Sequence, residues 1–206
     1  MERLNLSNEQ LDVLREIGTI GAGSAATALS QILARKVSIT VPQIKLLTTE
    51  RITTGEFLLN PEEVTLAVEL KILGALGGTM LVLFSQESAL QMIDILMKRP
   101  IGTTQLINIM EASALSESAH ILSGSYLNAV GEMLQLHQLI PSIPHTVVDR
   151  LERLNQLILK RLSGENIQYF LPIENNLKIE DIAITLFVIF LLDEASIRKI
   201  LKIVGI

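Results

Sequence analysis

The 206-residue chain has no cysteine and no tryptophan, and aromatic residues make up only 3% of it. Without cysteine there is neither a disulfide framework nor a thiolate metal site. The net charge is −5, and no run of lysine and arginine exceeds two residues, so no basic stripe is available to neutralise nucleic-acid phosphates. The scarcity of aromatic side chains also removes stacking platforms for bases. We therefore expect a protein partner or a small substrate, and no nucleic acid.

Long hydrophobic runs and targeting signals are scarce as well. The longest apolar run, 182–192, is interrupted only by Thr185. It is too short to cross a bilayer as a helix, so we interpret it as a buried strand. The first five residues lack the basic and apolar regions of a secretory signal. These features predict a cytoplasmic protein without membrane insertion, and the three scattered histidines predict that the chain binds no metal.

Hydrophobic residues, by contrast, are abundant, at 49% of the chain against 19% charged residues. This composition argues against disorder. A chain of 206 residues can bury a substantial core as one large domain or as two fused halves.

A short polar pattern occurs twice, about half a chain apart. Each copy has a small polar residue, a glutamate four positions later and another polar residue three positions after that. The first copy is Asp12, Glu16 and Thr19, and the second is Ser113, Glu117 and His120. Spacings of four and three stack side chains on one helix face. Each copy therefore predicts a polar stripe on a helix, and the duplication predicts a duplicated site.

The first half reads as a helix followed by strands and a second helix. Ser7 and Gln10 form a capping-box pattern, which predicts a helix that runs to about Ala34. Pro42 indicates an edge or a bulge in the first strand, and the glycines of segment 73–78 indicate a turn. The expected strands are 36–47, 64–70 and 79–84, and the expected second helix is 86–98, ended by the breaker 99–102.

The second half follows the same order. We expect a long helix at 106–139 ended by the prolines of 141–144, a short strand at 147–148, strands at 167–171 and 179–192, and a final helix at 194–204. Segment 151–162 is ambiguous, and a helix is one interpretation of it. Residues 81–90 also resemble 187–197. We therefore predict a single domain, 1–206, made of two repeats, 1–104 and 105–206. The predicted fold is a mixed α/β (α+β), pseudo-two-fold arrangement with one mainly antiparallel sheet packed by long helices.

The duplicated pattern resembles the signature of the CheC/CheX/FliY family of chemotaxis phosphatases. That signature is Asp or Ser, three residues, Glu, two residues, Asn, then twenty-two residues and Pro. Asp12, Glu16 and Pro42 match it in the first copy, and Ser113 and Glu117 match it in the second. The small residues after each copy, the duplicated layout and the length resemble the CheC members over nearly the whole chain.

The resemblance implies hydrolysis of the aspartyl phosphate on a CheY-type response regulator. In the family the glutamate is thought to engage a lysine of the regulator, and the asparagine to hold the attacking water in line with phosphorus. The regulator supplies the divalent metal, so the resemblance implies Mg²⁺ on the partner and no cofactor on this chain. Such catalysis rests on positioning and electrostatics. CheC members also bind the receptor deamidase CheD, which is a second candidate partner.

Both asparagine positions are substituted, by Thr19 and His120. Threonine is shorter than asparagine, whereas Nδ1 of a neutral histidine lies at nearly the distance of the amide atoms and can accept a hydrogen bond from water. Loss of one preorganised polar group typically costs ~2.7–4 kcal/mol, or roughly 10²–10³ in rate. We predict that the Glu16/Thr19 site is crippled and that the Glu117/His120 site is weak or altered.

Three alternatives remain open at this point. The chain is a phosphatase with altered sites, a binding protein that has lost turnover, or a flagellar switch component like FliY. The last would require an additional carboxy-terminal switch domain, for which we expect no room before Ile206. For single residues the simpler interpretation is a solvent-facing helix glutamate for Glu16 and Glu117, and a surface substitution in a retired site for His120.

Overall fold

The computed structural model describes residues 6–39, 43–44, 47–48, 64–150, 156, 169–180 and 182–205. In this part of the chain the helices are α1 (Asn8–Leu33), α2 (Gln86–Leu96), α3 (Ile109–Met133) and α4 (Glu194–Ile203). The strands are β1 (Val37–Ile39), β2 (Gln43–Ile44), β3 (Leu47–Thr48), β4 (Val64–Gly74), β5 (Gly78–Ser85), β6 (Leu139–Pro141), β7 (His145–Arg150), β8 (Tyr169–Ile179) and β9 (Ile182–Leu192). None of the described helices is long and apolar enough to span a membrane.

The strands form one antiparallel sheet in the order β1-β8-β9-β5-β4-β6. Two hairpins, β4–β5 and β8–β9, meet at its centre, where Val82 of β5 is the register partner of Val188 of β9. The strands that follow each long helix cross to the other hairpin: β1, β2 and β3 pair with β8, and β6 and β7 pair with β4. This confirms the predicted mixed α/β fold with a mainly antiparallel sheet. The exchange interlocks the two predicted repeats, so neither contains this sheet alone.

The core lies between the helices and one face of the central strands. Val68, Met80, Val82 and Val188 point into it and are almost completely buried. Residues 186–192 are buried on both faces of β9, which confirms the prediction of a buried strand. Such continuous apolar runs are typical of strands covered on both sides.

The end predicted for the second long helix is wrong. Helix α3 spans Ile109–Met133 rather than 106–139, because Asn108 caps its start and the backbone turns left-handed at Gln135, with φ 53°. The amide of Leu136 closes the end by donating to the carbonyl of Gly131 at 2.8 Å. The apolar residues beyond it continue a helical spacing, but Leu139 is buried in β6 as a partner of β4.

The start predicted for the strand at 179–192 is also wrong, because Ile179 is the last residue of β8 and β9 begins at Ile182. Glu180 has a positive φ of 55° at the turn, and β8 extends back to Tyr169. Most of β8 was not predicted from the sequence, because the strand contains Pro172, Asn175 and Asn176, which are residues of low strand propensity. Pro42 and segment 151–162, apart from helical Gln156, lie outside the described residues.

Candidate functional site

The two helices that carry the polar stripes pack against each other. A Cβ atom added to Gly21 of α1 would lie 2.3 Å from Cε1 of Tyr126 on α3, so only glycine allows this approach. The Tyr126 hydroxyl donates to the carbonyl oxygen of Gly18 at 2.9 Å. Burial raises the pKa of the Tyr126 phenol, which keeps it protonated as a donor. The small residues after the first motif therefore serve helix packing.

Helices α1 and α3 bury corresponding positions when they are aligned 101 residues apart, the distance between Glu16 and Glu117. The buried pairs are Leu14/Leu115, Ile17/Ser118, Gly18/Ala119, Gly21/Leu122, Ala22/Ser123, Ala25/Tyr126, Ala26/Leu127 and Leu29/Val130. Both glutamates of the motif are exposed. Each stripe therefore lies on the side of its helix that faces away from the core, as the spacing predicts.

In the first stripe, the side chains beside Glu16 are engaged within α1. Asp12 Oδ1 accepts from Arg15 Nη1 at 2.6 Å, and both side chains are more than half exposed. The Thr19 hydroxyl donates to the carbonyl oxygen of Arg15 at 2.9 Å. Its proton is therefore committed to the helix backbone and is not offered to solvent. Glu16 has no hydrogen-bond or ion-pair partner among the described residues.

In the second stripe, Ser113 turns back on its helix in the same way, and its hydroxyl donates to the carbonyl oxygen of Ile109 at 2.8 Å. Glu117 is exposed and His120 is half-buried. Within the described part of the chain, neither has a hydrogen-bond or ion-pair partner. The carboxylate and the imidazole, one turn apart on α3, are therefore both available to a bound molecule.

A buried polar cluster at the start of α3 was not predicted from the sequence. The Asp94 carboxylate, at the end of α2, accepts from the amides of Gly102, Thr103 and Thr104 at 2.7–3.0 Å and from the Thr104 hydroxyl at 2.6 Å. Arg99 Nη1 donates to Thr104 Oγ1 at 3.0 Å and to Glu111 Oε1 at 2.8 Å. This cluster fixes the connection from α2 to the first turn of α3.

Hydrogen bonding governs the charge state of this cluster. Burial raises the pKa of Asp94, but the hydrogen bonds from Thr104 and from the neighbouring amides outweigh it and hold the pKa below its usual value. The hydrogen bond from Arg99 lowers the pKa of Glu111, and the bond that Glu111 accepts from the Asn108 amide adds to it. Both carboxylates are therefore charged at neutral pH. The sequence signal for this cluster was the capping-box pair Asn108 and Glu111.

Three large apolar side chains are exposed beside the second stripe. Leu106, Ile109 and Met110 are 82%, 88% and 68% exposed. The sequence feature that could have predicted this exposure is the same capping box. It puts Ile109 and Met110 in the first turn of α3, where their side chains are solvent-exposed. No group of three or more histidine, aspartate or glutamate side chains within the described ranges could hold a metal ion.

Comparison with known proteins connects the chain to one family. Residues 9–46, which include the first stripe, match the CheC-like family. The chain is 36% identical over 146 residues to the CheY-P phosphatase CheC of Bacillus subtilis (strain 168), which covers 70% of this chain and 68% of that protein.

Solved structures share the fold over almost the whole chain. The crystal structure of Thermotoga maritima FliY superposes with a TM-score of 0.76 at 20% identity and covers 97% of this chain and 98% of that one. The CheX–CheY–BeF3–Mg²⁺ complex of Borrelia burgdorferi gives a TM-score of 0.51 at 13% identity, and the match covers 84% of this chain and 96% of that one. At these identities the likeness shows the fold alone.

Proposed function

This chain belongs to the CheC-like family, and from that premise we propose that it acts in chemotaxis signalling on a phosphorylated CheY-type response regulator. The observation that carries the proposal is the placement of Glu16 and Glu117 at corresponding, exposed and unpartnered positions of two packed helices. Two exposed glutamates in the same register, each beside a polar side chain one turn later, are not needed for the packing of either helix.

The proposed reaction is hydrolysis of the regulator's aspartyl phosphate, mainly at the second stripe. Glu117 would bind a lysine of the regulator and so fix the helix against the phosphorylated pocket. Neutral His120 would accept a hydrogen bond from the attacking water. The water oxygen bonds to phosphorus and the bond from phosphorus to the aspartyl oxygen breaks. The protons of the water stay on the inorganic phosphate, and the aspartate leaves as a carboxylate. Mg²⁺ on the regulator would neutralise charge on the transferring group.

The first stripe should contribute less to turnover. The Thr19 hydroxyl is shorter than an asparagine amide and donates its proton to the carbonyl of Arg15. Asp12 is bound by Arg15, which also places a cation one residue from Glu16. We therefore assign Glu16 to regulator recognition and assign only a small part of the hydrolysis to Thr19.

A second candidate function is binding of the phosphorylated regulator without turnover. The substitution of both water-positioning residues, together with the commitment of the Thr19 hydroxyl, favours it. The scaffold and both glutamates would then sequester the regulator. Binding of CheD stays a prediction from the family resemblance alone.

The test is the decay of acid-labile phosphate on a labelled CheY-type regulator with Mg²⁺, with and without this protein. Wild type is compared with Glu117→Ala, His120→Asn and His120→Ala, and with the matched first-stripe variants Glu16→Ala, Thr19→Asn and Thr19→Ala. We expect accelerated decay in wild type, a loss of most of it in Glu117→Ala, and a smaller loss in Glu16→Ala. His120→Asn should raise the rate if the histidine positions water poorly.

The outcomes separate the two functions. If wild type is inactive and His120→Asn is active, the scaffold is intact and the chain is a binding protein. If no variant accelerates decay but wild type binds the phosphorylated regulator, binding is again the function. If alanine at His120 leaves decay unchanged while alanine at Thr19 abolishes it, the ranking of the two stripes is wrong. If wild type neither binds the regulator nor accelerates decay, both functions are excluded.

A further inference from the structure

Exposed apolar side chains lie at the start of α3, on the amino-terminal side of Glu117. Met110 precedes Glu117 by seven residues, which is two helical turns on the same face, and Ile109 precedes Ser113 by one turn. Ile121, also exposed, flanks Glu117 on its other side. We call Leu106, Ile109 and Met110 the apolar shoulder. Ile109 and Met110 of the shoulder and the three residues of the second stripe lie on one side of α3, over about 16 Å of the helix axis.

Among the residues that the structure describes, the first stripe has no such shoulder. The positions that correspond to Ile109 and Met110 are Asn8 and Glu9, which are polar and exposed. Exposed large apolar side chains that cluster next to a polar site mark a binding surface rather than ordinary surface composition. The two helices bury corresponding positions, so the shoulder is a difference between their exposed faces and not between their packed faces.

Charge restricts what could cover this surface. From residue 100 to residue 149 the chain contains no lysine and no arginine, while Glu111, Glu117, Glu132 and Asp149 are acidic. A membrane-binding or nucleic-acid-binding surface needs free basic residues beside its apolar ones. Arg99 lies near the start of α3, but its guanidinium is paired with Glu111. A protein that presents a basic residue beside an apolar patch fits this surface.

We infer that the phosphorylated regulator docks on α3 in preference to α1, with its apolar surface on the shoulder and a basic residue on Glu117. The inference rests on the proposed function and adds to it a specific docking site and an order of use for the two stripes. The shoulder supplies the affinity, because burying large apolar side chains stabilises an interface more than a solvent-exposed ion pair does. Glu117 supplies the orientation.

The test measures the affinity for a CheY-type regulator loaded with beryllofluoride and Mg²⁺, using the full chain. The double variant Ile109→Asn/Met110→Glu gives these two positions of α3 the residues that α1 has there, Asn8 and Glu9. An acidic residue in a first helical turn is compatible with folding. We expect binding roughly tenfold to a hundredfold weaker. The matched control is Ile143→Asn, which removes an equally exposed isoleucine, 87% exposed, outside the shoulder and should leave the affinity unchanged.

A reciprocal variant moves the shoulder to α1. Asn8→Ile combined with Glu9→Met, in a Glu117→Ala background, should restore part of the lost affinity through the Glu16 stripe. Circular dichroism and thermal unfolding of each variant would show that the fold is retained.

The failures are distinguishable. If Glu117→Ala weakens binding but the Asn/Glu double variant does not, the shoulder is not the docking site and the proposed function stands. If wild type does not bind the loaded regulator at all, the proposed function fails and the inference fails with it. If the double variant abolishes self-association in sedimentation while the regulator affinity is unchanged, the shoulder joins two copies of this chain, and the inference is overturned.

Discussion

The face of α1 around Glu16 and the face of α3 around Glu117 differ, although the two helices bury corresponding positions. On α1 the glutamate lies among Glu9, Asp12 and Arg15, whose charges are solvated or paired. On α3 it is the only charged residue of its stripe and lies beside an apolar shoulder. Packing fixes the core side of a duplicated helix, but it does not constrain the exposed side. The comparison therefore separates the scaffold, which is shared, from the site, which has diverged.

The starts of the two helices differ in a second way. Helix α1 begins with an exposed capping box, in which Ser7 and Gln10 exchange hydrogen bonds of 3.0 and 3.2 Å. Helix α3 begins with a box whose Glu111 is buried and paired with Arg99. The first stripe is therefore carried on a helix whose end can fray, and the second on a helix whose end is anchored to α2 through Asp94.

The largest effect should come from removing this anchor. Asp94→Ala leaves the amides of Gly102, Thr103 and Thr104 and the Thr104 hydroxyl without their buried acceptor, and we expect it to lower the free energy of unfolding by about 3–5 kcal/mol. Gln10→Ala is the matched change at the exposed box of α1 and should cost no more than about 1 kcal/mol. Urea unfolding measures both values. Equal losses would show that the two helix starts are equivalent.

A smaller effect is expected where the two helices cross. Gly21→Ala places a methyl group 2.3 Å from the ring of Tyr126, which is itself buried, and overpacking of this kind costs about 1–3 kcal/mol. Gly23→Ala is the control, because no atom outside the local helix lies within 4 Å of its added Cβ. That change should stabilise the protein by up to about 1 kcal/mol through helix propensity. If both alanines stabilise the protein by the same amount, the crossing tolerates a side chain at position 21.

Acid should weaken the α3 anchor and leave the exposed box of α1 intact, because Ser7 and Gln10 do not titrate. The pKa of Asp94 is lowered in the folded state, so the unfolded chain binds the proton more readily. The stability that this carboxylate contributes is complete above its unfolded pKa, near 4, and is lost as the pH falls through the folded pKa. The loss should be smaller than that of Asp94→Ala, since a protonated carboxyl keeps some acceptors. Urea midpoints measured from pH 6 to pH 2 in wild type and Asp94→Ala check this, and parallel curves would exclude Asp94 as the source.

The fold was largely predictable because its signals are local. The capping box at Ser7, the glycine turn at 74–78 and the buried run of β9 each specify an element within a few residues. The end of α3 was not predictable in this way, because Leu139 fits a helical period and a strand equally well. The pairing of Leu139 with Gly74 of β4 makes it a strand residue, and Gly74 is distant from Leu139 in the sequence.

The sequence predicted which residues form the two stripes, but it did not predict the side-chain contacts and exposures around them. Spacing alone placed Glu16 and Glu117 on exposed helix faces. It could not show that the Thr19 hydroxyl turns back to Arg15, that Asp94 anchors α3 or that Met110 is exposed, because each depends on rotamers or on contacts between separate elements. These three features are what distinguish the second stripe from the first.

The smallest effect on stability is expected from the hydrogen bond that joins α1 and α3, the helices that carry the two stripes. Tyr126→Phe keeps the ring against Gly21 and 5.0 Å from the ring of Phe190, and removes only the hydrogen bond to the Gly18 carbonyl. That carbonyl retains its helical partner, so the free energy of unfolding should fall by about 1 kcal/mol. Gly18 lies between Glu16 and Thr19, so the bond fixes the first motif and leaves the second untouched. Hydrogen exchange should therefore quicken in α1 around residue 18 and stay unchanged around Glu117. Equal changes in both helices would mean that the bond stabilises the packed pair as a whole.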